Sequence, residues 1–217
     1  MFRVGIVDYG LGNLRSIYNA LESLDVKADL IKSPQHLAKS DFLILPGVGN
    51  FSEASQRLES FGWMQAIRED VLVNSKPILG ICLGMQLLAD NGYEGLSSND
   101  HSGGAPGLGF IPGTVINILD LGKSVRVPHV GWNSVNYRDY DNKLFESIPS
   151  DTDFYFVHSY VFSPVSSEHI VATTDYQELE LVAAVNYKNI WGTQFHPEKS
   201  SKAGTKILHN FLHNSKC

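Results

Sequence analysis

Two short segments carry the residue types and spacing that nucleophilic catalysis needs. One is Gly80-Ile81-Cys82-Leu83-Gly84, a cysteine between glycines; the other is His196-Pro197-Glu198. Pro77 to Ile81 is an apolar run that reads as a buried strand, and Leu83 to Ala89 reads as the first turns of a helix. Flanking glycines let the backbone make a tight, strained strand-to-helix turn that holds the side chain out over the sheet. A helix N-terminus beneath the sulfur favours the thiolate, the reactive form. The same cysteine also suits a small core position, since free cysteine is among the most buried residue types. A thiol nucleophile needs a base, and the base needs a group to fix its tautomer. On an extended segment His196 and Glu198 fall on one side and supply that pair. Taken alone, a histidine before proline reads equally as a turn residue.

Other segments are compatible with supporting roles. Leu45-Pro46-Gly47-Val48-Gly49-Asn50 places two glycines after an apolar run, which leaves backbone N–H groups uncovered. Such donors suit an oxyanion site, each worth about 3 kcal/mol of transition-state stabilisation; an ordinary strand-to-helix turn has the same pattern. Asp8-Tyr9-Gly10-Leu11-Gly12-Asn13 imitates a dinucleotide fingerprint. Arg15 stands where the third glycine belongs, and Lys32-Ser33 rather than an acid follows the next strand. A nicotinamide or flavin cofactor is therefore rejected, and Asn13 is expected to cap the following helix. Pro128 to Asn133 and Tyr155 to Tyr160 mix aromatic, histidine and amide groups, suiting a pocket, a partner surface or a core with satisfied polar tips. The histidines are scattered, His209 and His213 lack a third ligand, and there is no CxxC, so no metal is expected.

The elements that must position these groups alternate in the first half. Val4 to Asp8, Ala28 to Ile31, Phe42 to Pro46 and Pro77 to Ile81 read as strands; Asn13 to Leu24 and Ser52 to Val73 carry helical periodicity. That rhythm predicts an α/β fold with a central, mostly parallel sheet flanked by helices. The second half differs. Asn91 to Gly107 is rich in Gly, Ser and Asn and reads as a loop. Thr114 to Leu119, Ser124 to Val127, Phe154 to Phe162, His169 to Thr174 and Leu181 to Tyr187 suggest antiparallel strands, added to the sheet or packed beside it. Ile190 to Phe195 reads as a late buried strand and Gly204 to Leu212 as a closing helix. Without a repeat or a linker, residues 1–217 are expected to form one domain.

Composition narrows the function classes. A net charge of −6 without a basic cluster argues against nucleic acid and anionic membranes as partners. The cysteines are Cys82 and the terminal Cys217, an unpromising disulfide pair, which suggests a reducing compartment. No signal-peptide pattern and no membrane-length apolar run are present, so a cytoplasmic location is expected.

Together, Gly80 to Gln86, Gln194 to Ser200, Asp8-Tyr9-Gly10 with Gly12-Asn13-Leu14, Leu45 to Gly49 and the two aromatic segments resemble the class I (triad) glutamine amidotransferases. The similarity runs from residue 1 to about 213 and is nearest to the glutaminase subunits of imidazole glycerol phosphate synthase, in histidine biosynthesis. The resemblance implies a Cys82-His196-Glu198 triad that hydrolyses glutamine to glutamate and ammonia. It implies oxyanion donors around Gly47, Val48, Gly49 and Leu83. Glutamine contacts are implied at Gly47, Leu83, Gln86 and the backbone of His158, Ser159 and Tyr160. It also implies a (β/α)8-barrel cyclase partner receiving the ammonia, an interface near Trp132, Asn133, Tyr155 and Lys199, and the 46–49 loop as the switch that partner binding acts on. The stretch from Asp90 to Pro106 departs from the usual pattern and keeps open a paralogue that delivers ammonia to a surface-polysaccharide sugar. Cysteine peptidases and stress proteins share the elbow but lack the late His-Pro-Glu. A catalytically dead subunit would have lost a triad member.

Overall fold

A computed structural model describes residues 2–96, 103–137 and 142–214. Among the described residues the main sheet has nine strands, in the order β2-β1-β3-β4-β13-β12-β11-β8-β9. Its first five strands run parallel: β2 (Ala28–Ile31), β1 (Val4–Val7), β3 (Phe42–Leu45), β4 (Ile78–Ile81) and β13 (Ile190–Thr193). The other four are antiparallel: β12 (Leu179–Tyr187), β11 (Ile170–Tyr176), β8 (His129–Tyr137) and β9 (Thr152–His158). The expected α/β architecture, mostly parallel first and antiparallel later, is therefore observed.

Strands β1, β3, β4 and β13 are buried along their whole length, as a sheet covered on both faces requires. Side chains alternate between two cores: Leu43 and Leu45 point into one, Phe42 and Ile44 into the other. The first core is closed by α2 (Phe51–Ser60) and α3 (Trp63–Arg68), which bury Phe51, Ala54, Leu58, Trp63 and Ile67. The second is closed by α1 (Leu14–Glu22), through Ile17 and Leu21, and by α5 (Ser201–Asn214), through Ile207, Leu208, Phe211 and Leu212. A smaller sheet, β10-β7-β5-β6, lies on the first core and adds Val115, Val161 and Phe162 to it. It comprises β5 (Asn91–Gly92), β6 (Ala105–Pro106), β7 (Gly113–Asn117) and β10 (Tyr160–Pro164). None of the helices is long and apolar enough to cross a membrane, among the described residues.

Several boundaries differ from the sequence reading. The helix expected over Ser52 to Val73 breaks at Gly62, whose φ of 74° lies in the left-handed region, and its end winds into a π-helical turn over Glu69–Val73. Ser124 to Val127 forms no strand; the strand begins at His129, after Pro128, which has no N–H to give a ladder. Phe154 to Phe162 is two strands in two different sheets, separated at Ser159. Asn13 precedes α1 as expected, but its side chain makes no capping hydrogen bond. Part of the Asp90 to Pro106 stretch, residues 97–102, lies outside the described residues, as does Cys217. The described ends of the stretch pair as β5 and β6.

Candidate active site

Three adjacent parallel strands, β3, β4 and β13, deliver the chemistry-bearing segments to one edge. Pro46 to Asn50 leaves the C-terminal end of β3, Cys82 leaves β4, and Gln194 to Glu198 leaves β13. Register pairs Leu45 with Gly80 and Ile81 with Thr193, so Cys82 sits level with Gln194. The C-terminal edge of a parallel sheet is where α/β folds place their ligands.

The glycines around Cys82 are required by close approach. A Cβ on Gly84 would stand 1.8 Å from the Leu45 carbonyl oxygen, and one on Gly80 2.5 Å from that of Gly84. The turn is strained: Cys82 has φ 55° and ψ −110°, a conformation costing about 1–3 kcal/mol in a non-glycine residue. The Cys82 N–H donates to the Thr193 carbonyl at 2.7 Å, tying the elbow to β13. The expected helix after it is short. Only Leu83–Gln86 is α-helical, as α4, with looser turns through Ala89, so its dipole contributes little beside the groups facing the sulfur.

Cys82 and His196 line one cavity of about 260 Å³. Glu198 stands behind the imidazole with its side chain 1% exposed, and its Oε1 accepts from His196 Nδ1 at 2.8 Å. That contact fixes the tautomer so that Nε2 is left for the cavity. His196 keeps the extended backbone that the spacing suggested, and Glu198 lies in the 3-10 turn Pro197–Lys199 that follows it. Burial alone would push the His196 pKa down. Hydrogen bonding to Cys82 and Glu198, with the negative charge of both, outweighs it and raises the imidazole to about 9. The sulfur also lies 3.8 Å from the Val157 carbonyl oxygen and 3.7 Å from Gln194 Nε2.

Of the other residues singled out in the sequence, Val48, Gly49, Leu83, Gln86, His158, Ser159 and Tyr160 all line this cavity. His158 to Tyr160 reach it because the chain crosses from β9 to β10 at Ser159. Gly47 does not line it; it packs against α4, where a Cβ would meet that of Leu83 at 2.7 Å. Gly49, with φ 99°, gives the loop after β3 its turn. The phenol of Tyr9, in the turn first compared with a dinucleotide site, donates to the Pro46 carbonyl at 3.0 Å and anchors the start of that loop. Trp132 and Tyr155 face each other across β8 and β9, ring centroids 6.1 Å apart, with Lys199 Nζ 5.8 Å from the Tyr155 ring centre. They form one surface patch in which Trp132 is 50% exposed. Asn133 is not part of it. Its side chain turns inward, with Oδ1 3.2 Å from His129 Nε2 and Nδ2 donating to the Asp175 carbonyl.

One wall residue escaped the sequence reading. Glu94 lines the cavity, and burial raises its carboxyl to about 7, partly offset by a hydrogen bond from the Phe51 backbone. The signal available was a single acid in a stretch rich in Gly, Ser and Asn, which reads as an ordinary loop.

Known proteins resemble this chain in sequence and in fold. The family model for Glutamine amidotransferase class-I matches residues 5–215. The chain is 42% identical over 208 residues to "Imidazole glycerol phosphate synthase subunit HisH 1" of Campylobacter jejuni, covering 96% of this chain and 98% of that protein. It is 41% identical over 212 residues to the subunit HisH of Acinetobacter baylyi, covering 98% of each. Among solved structures, PurLQS from Thermotoga maritima superposes with a TM-score of 0.72 at 19% identity, covering 98% of each chain. A structure described as a glutamine amidotransferase gives 0.71 at 21% identity, covering 96% of each. Those two likenesses concern the fold.

Proposed function

The chain belongs to the class I glutamine amidotransferases, and from that membership and the site we propose that Cys82, His196 and Glu198 are its glutaminase triad. It serves as the glutaminase subunit of an imidazole glycerol phosphate synthase, in histidine biosynthesis, as its relatives' names indicate. The observation that carries the triad is a strained Cys82 sharing a cavity with a histidine held at 2.8 Å by a buried carboxylate.

The reaction follows from the positions. The Cys82 thiolate attacks the side-chain amide carbon of glutamine. The carbonyl oxygen becomes an oxyanion facing the backbone of Val48, Gly49 and Leu83. His196, carrying the proton, gives it to the departing nitrogen, and ammonia leaves a glutamyl thioester. Water then loses a proton to His196 and attacks the thioester, and the sulfur leaves as thiolate with glutamate released. The cavity of about 260 Å³ lies just below the range for drug-sized ligands, which suits an amino acid. Glu94 supplies a carboxylate for the α-ammonium group.

Glu94→Gln is expected to raise the glutamine KM about tenfold with little change in kcat, the loss of one charged hydrogen bond. Because Glu94 ionises near pH 7, the KM of the unaltered chain falls as pH rises through that value. A flat KM profile, identical in the variant, would remove Glu94 from the substrate site.

Ammonia then passes to a (β/α)8-barrel cyclase, docked at the patch of Trp132, Tyr155 and Lys199. The test is glutamate release by the purified chain, alone, with an imidazole-glycerol-phosphate cyclase barrel, and with the barrel plus its nucleotide ligand. Stimulation of about tenfold or more by barrel and ligand together is the expected result. If neither stimulates, while a glutamine-analogue inhibitor still alkylates Cys82, the acceptor is another one and the surface-polysaccharide paralogue replaces this reading.

A further inference from the structure

Gln194 is fully buried, and neither the triad nor the substrate contacts account for it. Its orientation can be deduced from one atom whose role is not in doubt, the backbone carbonyl oxygen of Tyr160, which only accepts hydrogen bonds. Gln86 places an amide group 2.9 Å from that oxygen, so the group there is Nε2, donating. The second hydrogen of the same Nε2 points to the Gln194 side chain at 3.0 Å, which must therefore present Oε1. With its oxygen committed to Gln86, Gln194 turns its own Nε2 towards Cys82 Sγ, 3.7 Å away. Turning the Gln194 amide over would set two NH2 groups against each other. Turning Gln86 over would set an oxygen against the Tyr160 carbonyl.

The anchor is itself held. His158 Nδ1 also donates to Tyr160 O at 2.9 Å, and its other ring nitrogen, Nε2, lies 2.9 Å from His129 Nδ1. Burial lowers His158 to about 3, which keeps that ring neutral and this tautomer in place. Two donors, His158 Nδ1 and Gln86 Nε2, thus converge on the Tyr160 carbonyl, and that fixed acceptor orients Gln86 and, through it, Gln194 towards the sulfur.

We propose that Gln194 is a further catalytic residue, whose amide N–H donates to Cys82 Sγ and favours its thiolate over its thiol. A thiolate gains more from a donor than a thiol does, because hydrogen bonds to charged acceptors are the stronger ones. The sulfur is anionic before attack and again as it leaves the thioester, so the donor assists both steps. This inference rests on Cys82 being the glutaminase nucleophile. Other titratable groups around the sulfur are His196 with Glu198 behind it, Glu94, His158 and Tyr9. All of them are unaltered in the variants below.

The experiment measures the pH dependence of Cys82 alkylation by iodoacetamide from about pH 5 to pH 10. It is resolved by peptide mass spectrometry so that Cys217 does not contribute. In Gln194→Met, of similar length but without a donor, the midpoint is expected to rise by about one pH unit, and in Gln194→Glu by more. Partner-stimulated kcat falls about tenfold while the glutamine KM moves little. An unchanged midpoint in a folded variant overturns the proposal. Should neither variant fold, the Gln194 side-chain amide proton of the unaltered chain decides by NMR. It should titrate with the alkylation midpoint and stop doing so in Cys82→Ala; a resonance indifferent to Cys82 overturns the proposal. Glutamate release surviving in Cys82→Ala would instead defeat the glutaminase reading itself.

Discussion

Cys82→Ala is expected to reduce glutamate release by at least about 10⁴-fold, because loss of the nucleophile leaves only binding and oxyanion stabilisation. Synthesis by the barrel partner supplied with free ammonia should continue at close to its normal rate. The two outcomes together are what a division of labour between ammonia release and ammonia use requires. Cys82→Ser should be almost as inactive. Its hydroxyl has to be deprotonated from a far higher pKa, and the site provides one imidazole whose charge complements a thiolate. Neither change should unfold the chain. Cys82 packs at the cavity edge, and an alanine or serine there keeps the same backbone at φ 55° with a side chain no larger. The measurements are glutamate release and ammonia-dependent product formation in the same complex. Loss of both activities would sink the division of labour, and survival of the first would remove Cys82 from the chemistry.

The parts of this site that were legible in the sequence are those whose chemistry and geometry are local. Gly80, Cys82 and Gly84 announce a strand-to-helix elbow because only glycine tolerates a carbonyl 1.8 Å from where a Cβ would be. His196 and Glu198 announce a base and its orienting carboxylate because they lie two residues apart, with only Pro197 between them. That the segments after β3, β4 and β13 meet depends on the strand order, which the sequence did not show; as parallel neighbours these strands end at the same edge.

What escaped was set by long-range pairing. The strand His129–Tyr137 mixes polar, aliphatic and aromatic residues, which suit a pocket, a partner surface or a core until its partners β9 and β11 are known. Ser159 interrupts an apolar run without glycine or proline, so nothing local marks the crossing between sheets that brings His158 and Tyr160 to the cavity. Glu94 is unusual only because it is buried, and burial is a property of the folded chain. The same holds for Gln194, whose orientation depends on a carbonyl and an amide far away in sequence.

His196→Asn should lower kcat by about 10³-fold, within the range for losing a general acid–base group. Its second consequence is a change in how stability depends on pH. His196 is raised from 6.5 to about 9, so between those values the folded chain holds a proton that the unfolded chain has released. Stability is a function of that difference and falls as pH rises when the unfolded state binds fewer protons. The imidazolium's contribution is fully present below about pH 6.5 and is lost by pH 9, while the proton that the unfolded chain keeps on Cys82 and the folded thiolate lacks works against it over the same window. Glu94, at about 7 in the folded chain, still loses its proton in the lower part of this window and does so in the variant as well, whereas burial keeps His158 and His129 neutral in the folded chain. In urea unfolding at about pH 6.5 and pH 9, His196→Asn should therefore remove the His196 share of the change in stability and leave the share of Glu94. The imidazolium that pairs with Glu198 through its Nδ1 proton is the same species that gives its Nε2 proton to departing ammonia. A chain that kept its full pH dependence of stability after His196→Asn, or lost it without losing activity, would break that identity and move the base elsewhere in the cavity.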